Sequence, residues 1–129
     1  MVDISGRLLA QRTRNNLMDV LETVAFVDEQ RVYQAEVDWI NVPRELLAQF
    51  DEWFPELDEW RQVYTADELQ TIEQVLSRRD AVGSALGSSF PDVEAVQLLP
   101  EWVAFAEAAR KAVAVFQVRG RLPDDHEVS

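Results

Sequence analysis

The sequence predicts an all-α fold, a compact single-domain bundle of four to five amphipathic helices. Three features point to it. Apolar residues recur at three- and four-residue steps through most of the chain. Recognisable helix starts (Ser5, Asn41 with Pro43, and the run Thr65-Ala-Asp-Glu68) stand before the periodic runs. Strand-like alternation is confined to one short stretch that has no second strand to pair with. A chain of 129 residues with 47% hydrophobic and 28% charged residues fits one domain with a real core. Residues 1–120 are therefore assigned to a single helical domain, and residues 121–129 (RLPDDHEVS) to a disordered tail.

Ser5 is placed to cap a first helix that runs to about Val27. Leu9, Leu17, Val20, Leu21 and Val24 lie on one side of it, and Arg12, Arg14, Asp19 and Glu22 on the other. The next segment, residues 28–40, reads two ways. Tyr33, Ala35, Val37 and Trp39 alternate as in a strand, whereas Val32, Ala35, Trp39 and Ile40 fit a helical face. An extended end is favoured, because Val42 precedes a proline and is biased away from helical backbone.

Asn41 and Pro43 then open a helix, and over Pro43 to Phe54 the residues Leu46, Leu47, Phe50, Trp53 and Phe54 fall within an arc of about 120°. Arg44, Glu45, Asp51 and Glu52 fall outside that arc. This sorts the mixed run QFDEWFPELDEW into a buried aromatic stripe and a wet acidic face. Pro55 ends the helix and starts another carrying Leu57, Trp60 and Tyr64. Thr65 and Glu68 form a capping box for a helix through Leu69, Ile72, Leu76 and Val82 that ends at Gly83 or Gly87. After the loop GSSFPD come a short helix within Asp92–Leu99 and a long one from Pro100. The long helix carries Trp102, Phe105, Ala109, Val113 and Phe116 on one stripe and ends near Gly120.

Charge is the second informative property. The formal net charge is −12, from 24 acids and 12 bases. Residues 28–68 hold twelve acids against Arg31, Arg44 and Arg61, so most of the excess sits in one third of the chain. Such a field repels nucleic acid and anionic membranes and attracts basic proteins. A DNA mimic is disfavoured by density. Pro43 to Tyr64 would span about 33 Å with six acids and two arginines, where duplex DNA carries about 19 charges. The opening MVDISGRLLA lacks the order of a secretory signal, and the apolar-rich run 102–118 is broken by charges, so a cytoplasmic protein without a membrane span is expected.

Most catalytic chemistries find no residues here. Cysteine is absent, and the one histidine, His126, stands in the tail. The glycines form no phosphate-binding loop. A carboxylate metal site would need pairs such as Glu68 with Glu73, or Asp51 with Glu56, to turn inward at spacings that do not suit it. No enzyme activity, cofactor or metal is therefore expected.

The function expected is that of an acidic binding protein that docks on and occludes a basic protein partner, a toxin being one candidate. Helical immunity proteins and antitoxins work in this way, and the chain is generically similar to them. The partner-binding residues proposed from the sequence are Asp51, Glu52, Asp58 and Glu59, a ridge either side of Pro55, with Trp60 as an aromatic anchor. Two rivals stand beside it: an accessory or scaffold subunit, homo-oligomeric through the Trp60 region, and a carboxylate-based divalent-metal enzyme.

Overall fold

The computed structural model describes residues 5–128. The first four residues and Ser129, the last residue of the expected tail, lie outside the described part. Helix accounts for 72% of the described residues, and no strand is found among them, so the fold is all-α and single-domain. The described residues form seven helices: α1 Gly6–Ala25, α2 Val27–Glu36, α3 Val42–Trp53, α4 Asp58–Arg61, α5 Ala66–Leu86, α6 Val93–Gln97 and α7 Pro100–Phe116. Four of them, α1, α3, α5 and α7, are long enough to make the bundle. The three short ones join or cap it.

α7 lies at the centre, packed on α5 and on α1, while α1 also packs on α3 and α4. The stripe expected for α7 is the one buried: Trp102, Phe105, Ala109, Val113 and Phe116 all lie in the core. Phe105 meets Trp102 and Phe50 edge-on, at centroid separations of 5.3 and 6.1 Å, which joins α3 to α7. α3 buries Leu46, Leu47 and Phe50, with Phe54 just beyond it, and leaves Arg44, Asp51 and Glu52 exposed, as its periodicity implies. Burying Phe50 alone is worth about 1.5–3 kcal/mol of transfer free energy.

The helix ends follow local chemistry. Ser5 and Asn41 accept from the backbone N–H groups of Leu8 and Arg44, and Asp92 accepts from Ala95. The capping box is complete: Thr65 Oγ1 accepts from Glu68 N–H while Glu68 accepts from Thr65 N–H. Gly87, at φ +60°, takes a backbone conformation at the end of α5 that a side chain would strain.

Three expectations need correction, and one open segment is settled. Arg14, assigned to the wet side of α1, is fully buried, whereas Leu9, assigned to the apolar side, is exposed. Residues 27–36, most of them in the segment that reads two ways, are helical, and the chain leaves the helix only at Val37. Val42, despite preceding Pro43, is the first residue of α3, because Pro43 occupies a position whose N–H would have no helical partner. Pro55 does not start a helix. It is buried in an extended connection, and only Asp58–Arg61 turn helical, so Leu57 is exposed instead of facing inward.

The segment after α7, expected to be a disordered tail, lies along α1 over residues 121–128. Asn15 donates to Leu122 O at 2.8 Å and accepts from Leu122 N–H at 2.9 Å. Gln11 Nε2 donates to Pro123 O and His126 O, and Gln11 Oε1 accepts from Val128 N–H. Gly120, at φ +72°, makes the turn that brings the chain back.

Candidate functional site

Charge in this protein is used in two ways, and the difference locates the candidate surface. Inside, Glu68 is 1% exposed and holds two arginines. Arg14 forks onto it at 3.1 and 2.9 Å, and Arg119 at 3.0 and 2.6 Å. Arg14 also donates to Gly120 O and lies 4.7 Å over the Phe116 ring. Burial, the largest single influence on the Glu68 carboxyl, pushes its pKa up. The hydrogen bonds from Arg119, Arg14 and the Thr65 backbone together outweigh that and hold it below the usual carboxylate range. Tyr64 packs edge-on to Phe116, its hydroxyl has no hydrogen-bond partner among the described residues, and burial raises its pKa. Glu68 does turn inward, as a metal site would require, but its oxygens are filled by guanidinium groups. The cluster ties α1, α5 and the end of α7 together and is structural.

Outside lies the acid-rich segment from α2 to α4. Its three arginines turn to groups other than its own carboxylates. Arg31 donates to Gln97 Oε1 at 2.8 Å, Arg44 lies 5.7 Å over the Phe90 ring, and Arg61 pairs with Glu73 at 2.7 Å. Of the ten carboxylates between Asp28 and Glu59, only Asp51 makes an ion pair among the described residues. Arg79 grips Asp51 with two bonds of 2.7 and 2.6 Å, and this raises the arginine's own pKa.

The residues proposed from the sequence are therefore not one ridge. Asp51 and Glu52 are neighbours on α3 but diverge. Asp51 leans toward α5, while Glu52 lines a shallow groove of about 380 Å³ between α1 and α3 with Asp19, Glu45, Gln49 and Trp53. Asp58 and Glu59 are exposed in the first turn of α4. Trp60 is half-buried and packs against the core, so only part of its ring is open to a partner.

A second hollow, of about 410 Å³, opens at the junction of α1 and α2. It is lined by Thr23, Asp28, Glu29, Val32, Tyr33 and Glu36. Thr23 belongs to both hollows, so they meet across the end of α1. The sequence reading passed over these α2 residues, although Asp28, Val32 and Glu36 stand at four-residue steps that bring them onto one line once the segment is helical. Chemically this surface offers negative charge, hydrogen-bond acceptors and apolar or aromatic edges at Val32, Tyr33 and Trp53. No helix among the described residues is long and apolar enough to cross a membrane.

Comparison with family models, with curated proteins and with solved structures finds no match to this chain. The functional reading therefore rests on the site itself.

Proposed function

We propose that the protein is a non-enzymatic acidic binding module, cytoplasmic in setting, that docks on a basic protein partner and covers its positive surface, as immunity proteins and antitoxins do. One observation carries the reading: nine of the ten carboxylates between Asp28 and Glu59 have no ion-pair partner among the described residues, and no arginine of that segment pairs with any of them. A protein that carried this charge for solubility alone would lose little by interspersing bases among the acids, which is how most surfaces are built. Leaving one face uncompensated maintains a field that speeds encounter with a positive surface.

The test is association kinetics by surface plasmon resonance, at low and physiological ionic strength, against a basic protein recovered from native lysate. Changing Glu52, Asp58 and Glu59 together to lysine shifts the face by six charges and should slow association by about an order of magnitude or more, without lowering the melting temperature. If that variant associates at the wild-type rate, and the rate ignores salt, the acidic face is only a solvated surface.

A further inference from the structure

α2 is attached to the bundle by a buried amide on its inner face and by Tyr33 packed at the edge of the core, and its outer face has no partner among the described residues. Gln30 is the one fully buried residue of the helix. Its Nε2 donates to Thr23 O and Val24 O at 3.0 and 2.9 Å, and its Oε1 accepts from Gln97 Nε2 at 3.1 Å. Gln97 also donates to Val27 O and accepts from Arg31. These amides hold the helix in place, so the apolar side chain of Val32 on the opposite side is not needed for attachment and is 61% exposed.

Resting on the proposed docking to a basic protein, we infer that this outer face of α2 receives an amphipathic helix of the partner that carries one apolar side chain between two bases. Asp28, Val32 and Glu36 form a line of acid, apolar, acid, and the two carboxylates are separated by about 12 Å along the helix axis. Neither acid has a basic partner among the described residues, and Arg31, the one base on α2, is turned to Gln97. The complementary order of base, apolar, base falls at i, i+4 and i+8 on an opposing helix. Such a partner fills the hollow beside Val32 and Tyr33 while both acids gain a counter-charge. A neutral or acidic partner would bury those carboxylates unpaired, a strongly unfavourable arrangement. The same reasoning disfavours a second copy of this chain, which would bring acid against acid. A helix is the fitting occupant because no sheet edge exists among the described residues to receive an extended strand.

The experiment titrates the whole protein into two fluorescently labelled helical peptides of identical composition and reads anisotropy at low and physiological ionic strength. In one peptide the order Lys-x3-Leu-x3-Lys repeats along one face; in the other the same residues are scrambled around the helix. The ordered peptide should bind roughly tenfold tighter or more. The pair Asp28→Asn with Glu36→Gln should abolish that preference together with much of the salt dependence. Val32→Ser should weaken the ordered peptide while keeping the salt dependence. All three side chains are exposed, so these variants should melt as the wild type does.

Equal binding of the two peptides overturns the inference. So does indifference to the α2 changes when the lysine variant at Glu52, Asp58 and Glu59 abolishes binding, an outcome that leaves the basic-partner reading intact. If neither peptide shows any salt-dependent binding to the wild type, both readings fail. A dimer in light scattering that Val32→Ser dissolves would assign the face to a second copy and overturn the inference as well.

Discussion

Glu68 and Glu52 are the same side chain placed sixteen positions apart, and the molecule treats them oppositely. Glu68 accepts five hydrogen bonds, four of them from guanidinium groups, and is sealed from water. Glu52 is exposed and makes no ion pair among the described residues. The arginines make the same contrast. Arg14 and Arg119 converge on one acid in the interior, while Arg31, Arg44 and Arg61 leave a face crowded with acids. A carboxylate taken out of water must be matched nearly in full, and the match then becomes cohesion between helices. A carboxylate left in water needs no match and contributes a field. Only the second kind is available to a partner.

The sharpest way to break this contrast is to remove Glu68. Glu68→Ala leaves Arg14 buried without a counter-charge and should destabilise the fold by about 3–5 kcal/mol in urea denaturation. Replacing Arg14 by Met and Glu68 by Leu together should recover a large part of that loss, since an apolar pair removes both desolvated charges. The pH dependence has a definite sign. The folded pKa of Glu68 is depressed, so its contribution is present above the ordinary glutamate value of about 4.3 and is lost as pH falls through the lower folded value. The acid limb of stability should therefore be shallower in Glu68→Ala than in the wild type. A loss below ~1 kcal/mol, with an unchanged acid limb, would mean that the cluster is no more cohesive than a surface pair.

The elements that were legible in the sequence are those whose signal is local. The capping box at Thr65 to Glu68, the Asn41 and Pro43 start, and the stripes of α3 and α7 follow from spacing alone, because an apolar side chain at such a position has one place to go. Arg14 shows where that logic fails. It sits on the same stripe as Ala10, Leu17 and Leu21, so its position predicts burial while its charge predicts exposure. Position wins because a carboxylate more than fifty residues away comes to meet it. The α2 segment stayed open between strand and helix for a related reason: Gln30 is its one fully buried residue and side-chain amides hold it in place, so its apolar residues do not sort onto one buried face. The tail is the extreme case. Gln11 and Asn15 bind its backbone atoms, which every sequence possesses, so nothing in RLPDDHEVS announces the contact. The candidate surface was half legible. Acid density marked the region, but which acids stay unpaired depends on where three arginines turn in space.

Smaller effects sharpen the contrast. Gln11→Ala removes the buried amide that satisfies Pro123 O, His126 O and Val128 N–H, and should lower stability by about 1–3 kcal/mol. It should also hasten hydrogen exchange at the Val128 amide. Unchanged exchange there would mean that the tail contact depends on other groups. Asp51→Ala breaks an exposed fork with Arg79 and should lower stability by no more than about 1 kcal/mol, a difference that shrinks at high salt. If it instead matched Glu68→Ala, exposure would not be what separates the two kinds of carboxylate.

The smallest expected effect has the most telling sign. Glu52 and Asp58 stand on the uncompensated face, so exchanging either for lysine breaks no ion pair and removes no buried contact. Surface changes of this type usually alter stability by less than about 0.5 kcal/mol. Here the direction should be favourable, because each exchange adds two positive units to a chain of net charge −12 and relieves repulsion within the acid-rich segment. Asp58 stands in the first turn of α4, where a negative charge favours the helix, so its gain should be smaller than that of Glu52, which lies in the last turn of α3, where lysine also suits the helix end. Thermal melts of the two single variants at low ionic strength measure both the sign and the order. A rise in Tm that vanishes with added salt would show that the face is held at an electrostatic cost to the fold, as expected of a surface kept for a partner. A fall in Tm for Glu52→Lys would mean that the Glu52 carboxylate stabilises the fold, and it would remove Glu52 from the candidate surface.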